Sequence, residues 1–64
     1  KLITDREAEI LRHVQTGKSN DEIGSLLNIS PLTVKNHVQK ILRKLNVNNR
    51  AHAVAKAIAL KLTL

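Results

Sequence analysis

Asn36, Gln39, Lys40 and Arg43 recur at intervals of three and four within the stretch SPLTVKNHVQKILRKL, residues 30–45. That spacing gathers them on one side of a helix. Side-chain amides and cations hydrogen bond base edges and hold phosphates, so the stripe is equipped for non-covalent contact with a nucleic acid. Opposite it, Val34, Val38, Ile41, Leu42 and Leu45 form an apolar stripe suited to a core. Lys35 and Lys44 add to the cationic cluster. A solvated charged face is the plainer account of such a cluster, and the short turn that precedes it favours the functional one.

Other chemistry finds little support. His13, His37 and His52 fall in three separate segments, with no cysteine or paired carboxylate at ligand spacing, so neither a metal site nor any cofactor is expected. His37 stands at the edge of the apolar stripe and is expected to be partly buried and within reach of a phosphate. His13 and His52 are expected to face solvent. There is no glycine-rich phosphate loop and no recognisable pairing of a nucleophile with a base, so an enzyme is not expected.

Composition narrows the partner. Eleven Lys and Arg against five Asp and Glu give 64 residues a formal charge of +6, which favours a polyanion. The absence of Phe, Tyr and Trp argues against modules that stack unpaired bases on aromatic rings, which leaves duplex DNA as the expected partner. No apolar run approaches the roughly 18 to 20 residues that span a bilayer, so a soluble, cytoplasmic chain without membrane contact is expected. Residues 1–64 make one domain, near the lower size for independent folding. The chain begins with Lys rather than Met, which suggests a longer protein upstream.

Four helices are expected to position these residues. The first runs over residues 2–17, with Thr4 and Glu7 in capping-box spacing, Ile10, Leu11 and Val14 as its stripe and Gly17 as its stop. Glu7 lies on the side of that stripe. Its carboxylate either bends back to the Thr4 N–H as a cap or forms a structural ion pair with Arg50. The second helix, within residues 18–28, repeats the capping box with Ser19 and Glu22, buries Ile23, Leu26 and Leu27, and ends at Asn28 in a left-handed turn. Gly24 inside it costs about 1 kcal/mol against Ala, and close approach to another helix would account for it. Ile29 plugs the turn, Ser30 caps the third helix, and Pro31 takes its first position.

After Leu45, Asn46 suits a left-handed C-terminal position and Val47 tucks under the core. Asn49 caps a fourth helix from Arg50 to about Leu60, in which Val54, Ala57, Ile58 and Leu62 recur at helical spacing. Its apolar surface covers more than one stripe. Ala51, Val54, Ala55 and Ile58 therefore make an expected dimer face, with packing on an upstream segment or tolerated exposure as the alternatives.

Thr4, Arg6-Glu7, Ile10-Leu11, Gly17, Ser19-Asn20, Glu22-Ile23, Ile29-Ser30, Thr33-Val34-Lys35-Asn36-His37-Val38, Lys44-Leu45-Asn46-Val47 and Arg50 together resemble the LuxR/FixJ/NarL-type (GerE-like) DNA-binding domain over nearly the whole chain. The resemblance implies an all-α, four-helix domain whose helices 2 and 3 form a helix-turn-helix, with the C-terminal helix available for dimerisation on DNA. It implies the C-terminal part of a bacterial transcription regulator, behind a receiver or a small-molecule sensor. Positions Lys35, Asn36 and Gln39 match residues that face bases in such domains, and Ser19, Asn20 and Thr33 match phosphate contacts. Lys40, Arg43 and Lys44 join the phosphate set from charge and wheel position.

Gly24 and Asn28 depart from that pattern, where Ala and Gly are frequent. Leu32, at the start of helix 3, is also unusual, and it lies either against a thymine methyl or on the free surface. The expected function is sequence-specific duplex binding in transcription regulation, by a homodimer with residues 31–44 in the major groove and with possible contact to RNA polymerase. The alternative is a helix-turn-helix that docks on the polymerase or another regulator without reading bases.

Overall fold

Each helix of this chain starts at a side chain that caps it. In the computed structural model, which describes residues 2–62, α1 spans Asp5–Gln15, α2 Asn20–Leu27, α3 Pro31–Leu45 and α4 Arg50–Ala59, and no strand occurs among the described residues. The side chains of Thr4, Ser19, Ser30 and Asn49 accept hydrogen bonds from the N–H groups of Glu7, Glu22, Thr33 and His52. A cap of this kind contributes about 1 kcal/mol. In α1 and α2 the arrangement is reciprocal, because the Thr4 and Ser19 N–H groups donate to Glu7 Oε1 and Glu22 Oε1, each at 2.8 Å.

The helix ends share a second device. Gly17, Asn28, Asn46 and Lys61 adopt positive φ, and the following N–H groups, of Lys18, Ile29, Val47 and Leu62, reach back to the carbonyls of His13, Gly24, Leu42 and Ala57. These bonds satisfy carbonyls that a bare helix end would leave without partners. Lys61 is the one such position without a sequence signal. Left-handed backbone costs a side-chain-bearing residue about 1–2 kcal/mol, and here it turns Leu62 back against the core.

Packing centres on α3, which contacts each of the other helices, while α1 also meets α4. Val34, Val38, Ile41 and Leu45 are buried among Ile3, Ile10, Leu11, Ile23, Val47, Ala53 and Ala57. One expectation about this core is corrected. Leu26 is 57% exposed, because α2 turns Ile23, Gly24 and Leu27 inward and so carries Leu26 off the contact face. On α4 the buried positions are Ala53 and Ala57, whose small side chains let the helix approach closely, while Val54 is half-buried and Ile58 exposed. His13 is half-buried rather than free in solvent, and His52 is exposed.

Gly24 gains a specific reason. A Cβ there would stand 2.6 Å from the Ile29 carbonyl oxygen, a backbone atom that the turn cannot move alone. The turn closes on α2 at this point, with the Ile29 N–H donating to the Gly24 carbonyl at 2.9 Å. The close approach is therefore to the α2–α3 turn.

Glu7 is 2% exposed and is the buried acid of the core. The expected pair with Arg50 does not form. Glu7 Oε1 accepts from Lys44 Nζ at 2.8 Å and from the Thr4 N–H, so the capping role is retained and the cation comes from the last turn of α3. Burial is the largest single influence on this carboxyl and opposes its ionisation. The Lys44 and Thr4 hydrogen bonds and the Lys44 charge together outweigh it and hold the group below its ordinary value.

Lys44→Ala leaves the buried carboxylate with only its local partners, and an expected loss of about 1–3 kcal/mol follows in denaturant unfolding. A double-mutant cycle of Lys44 with Glu7→Gln couples, whereas a cycle of Arg50 with Glu7 is additive. Because the native carboxyl value is depressed, its stabilisation is fully present above the unfolded value near 4.5 and is lost as pH falls through the lower native value. Unfolding free energies measured against pH should therefore decline less on the acid side for Glu7→Gln than for the parent chain.

Candidate nucleic-acid interface

Burial of Val34, Val38, Ile41 and Leu45 fixes the roll of α3 about its own axis, and the opposite side stands clear. Leu32, Thr33, Lys35, Asn36, Gln39, Lys40 and Arg43 are all exposed, and His37 is half-buried. Helical spacing sets Leu32, Lys35, Asn36, Gln39 and Arg43 in one stripe along this side. Beside it, Thr33, Asn36, His37 and Lys40 line a shallow groove. The sequence-derived base and phosphate candidates on α3 thus share one exposed surface, with the exception of Lys44.

Lys44 is drawn off this surface by Glu7. Its side chain is 33% exposed and its ammonium is hydrogen bonded to the buried carboxylate, so part of its donor capacity is committed to the core. A buried unpaired carboxylate is costly enough to claim the nearest cation.

The N-terminal end of α3 is free of carboxylates in its first turn, unlike those of α1, with Asp5 and Glu7, and α2, with Asp21 and Glu22. The first turn of α3 itself thus brings no negative charge to this end, and Asp21 of α2 lines the hollow beside Ser30 and Pro31. Ser30 Oγ caps the helix, and its hydroxyl lies 2.9 Å from Thr33 Oγ1.

At the start of α2, the N–H of Ser19 donates to Glu22 Oε1 while its Oγ accepts from the Glu22 N–H. The hydroxyl hydrogen is what remains for Ser19 to offer an anion. These bonds, the Ser19 N–H foremost, hold the Glu22 carboxyl below its ordinary value. Asn20 Oδ1 accepts from Arg50 Nη1, so the amide's NH2 is the half that can serve a phosphate.

Arg50 supplies a positioning link that sequence reasoning missed. From the first position of α4 its guanidinium reaches Asn20 and also donates from Nη2 to the Lys18 carbonyl at 2.9 Å. It thereby ties α4 to the segment that leads into α2. A planar fork of donors suits two acceptors at once. The sequence displayed the Arg, but neither a backbone carbonyl as partner nor a pairing across some thirty residues leaves a local signal.

On α4, Ala51, Ala55 and Ile58 are exposed and Val54 is half-buried, and Ala51 and Val54 line a hollow with Val14 and Gly17 at the end of α1.

A family model described as "GerE: Bacterial regulatory proteins, luxR family" matches residues 1–57. The chain is 51% identical over 57 residues to the transcriptional regulatory protein DegU of Brevibacillus brevis, a match covering 89% of this chain and 24% of that protein. It is 48% identical over 52 residues to the nitrate/nitrite response regulator protein NarP of Escherichia coli (strain K12), covering 81% and 24%. Among solved structures it superimposes on the transcription factor GerE with a TM-score of 0.95 at 33% identity, covering all of this chain and 96% of that one. The chain spans about a quarter of the length of the curated relatives it matches.

Replacing Arg50 by Ala removes two charge-assisted hydrogen bonds, each of a kind that contributes about 1.5–3 kcal/mol when made to a charged group. Faster amide exchange at residues 18–20, beyond any uniform change over α1, is the expected result. Arg50→Lys should restore only part of the protection, and exchange unchanged in both variants would remove the link.

Proposed function

The chain belongs to the luxR family of bacterial regulatory proteins, and we propose that it binds duplex DNA by laying α3 in the major groove. The observation that carries this reading is the division of α3 into a buried apolar stripe and an exposed amide and cationic stripe. The first is gripped by the other helices, so the second is presented at a fixed angle.

Each group has a role that its chemistry suits. Lys35, Asn36 and Gln39 are the base readers, since a side-chain amide pairs with adenine through two hydrogen bonds and a lysine ammonium donates to guanine acceptors. Thr33, His37, Lys40 and Arg43 flank them as phosphate contacts, joined by the Ser19 hydroxyl and the Asn20 amide at the start of α2. The phosphate contacts set register and the readers choose sequence. Ala51, Val54, Ala55 and Ile58 are proposed as the face on which two copies meet, which would set two half-sites about one helical turn apart. The whole protein is proposed to be a longer transcription regulator of which this chain is the DNA-binding part. The length of the relatives supports that.

Gln39→Ala should lose preference at one position of the selected site, by about 1–3 kcal/mol if its contact is bidentate, with little change in binding to unrelated duplexes. Lys40→Ala should weaken binding to all duplexes alike and lower the slope of log K against log salt by about 1. Binding isotherms at several salt concentrations test both. Affinity for DNA that barely responds to salt would favour the protein-docking alternative.

A further inference from the structure

Leu32 has no structural duty that accounts for it. It occupies the second position of α3, it is 64% exposed, and the core is complete without it. An exposed leucine alone is unremarkable on a protein surface. Its place is informative, however, because the intervals from Leu32 to Lys35, Asn36 and Gln39 are three, four and seven residues, which puts it at the N-terminal end of the stripe proposed to read bases. In a helix-turn-helix the N-terminal residues of the second helix are those that meet base edges.

The surroundings say what this side chain can meet. It follows Pro31, so the helix enters with two apolar residues, and no carboxylate lies in the first turn to repel a polyanion. Ser30 and Thr33, its polar neighbours, are bonded to one another through their hydroxyls. An isobutyl group gains nothing from a phosphate. The one apolar feature of the major-groove edge of an unmodified base pair is the C5 methyl of thymine.

We infer that Leu32 is a specificity-determining residue that packs against a thymine methyl beside the bases met by Lys35 and Asn36. The inference rests on the DNA-binding reading and adds one base to it. Burying one methyl removes apolar surface from water for both partners, so thymine is favoured over uracil, which has the same hydrogen-bonding edge without the methyl. The same contact accepts 5-methylcytosine in preference to cytosine, as far as the neighbouring donors allow.

The test begins with sites selected from random duplexes by the chain and by its Leu32→Ser variant, whose folding is checked by circular dichroism. Each thymine of the selected site is then replaced in turn by uracil, and binding of both proteins is measured. One thymine is expected at which the parent chain loses about fourfold in affinity on removal of the methyl, while the variant loses nothing and selects that position less strongly. Equal response of both proteins to every replacement overturns the role of Leu32 and leaves the DNA-binding reading intact. Failure of the parent chain to select any sequence overturns both.

Discussion

The roll of α3 is the constraint on which the rest depends. A helix in a groove exposes its whole outer side, and which residues meet bases is decided by rotation about the helix axis as much as by position along it. Here that rotation is set by Val34, Val38, Ile41 and Leu45, each buried by contact with the other helices. A turn of α3 by one residue's angle, about 100°, would put charged groups into the core. The face proposed to read bases is therefore fixed by the apolar one.

Angle along the other axes is fixed by polar contacts at the ends. Glu7 and Lys44 join α1 to the last turn of α3, and Arg50 joins α4 to the entry of α2. The first lies away from the proposed DNA surface, whereas the second holds Asn20, one of the proposed phosphate contacts. The Glu7–Lys44 pair has a further consequence, since it commits one cation of a basic helix to a buried carboxylate and leaves Lys35, Lys40 and Arg43 as the cations without a structural ion pair in the core. Position, rather than the sum of charge, separates a structural lysine from a binding one.

Much of this was legible because it is local. Thr4, Ser19, Ser30 and Asn49 announce helix starts through bonds that span three residues, and Gly17, Asn28 and Asn46 announce ends through their tolerance of positive φ. The α3 stripe was legible for the same reason, as a helix fifteen residues long carries its own periodicity clearly. The α2 face was only partly so. Eight residues give too few turns to place the stripe, and Leu26 was assigned inward when Gly24 marks the contact side. What stayed hidden were the partners chosen in three dimensions: Lys44 instead of Arg50 for Glu7, and a backbone carbonyl for Arg50. The proposed readers came from the resemblance, because which side chain meets a base depends on the duplex and leaves no periodic signal in the chain.

The most direct measurement is an NMR titration of the side-chain amide groups of Asn36 and Gln39, first with a duplex selected by the chain and then with a scrambled duplex of equal length. If α3 reads bases, the NH2 resonances of both residues shift and exchange more slowly with solvent only on the selected duplex, while the Arg50 contacts persist. Unchanged Asn36 and Gln39 signals on the selected duplex, with the shifts centred on α4 instead, would contradict the account.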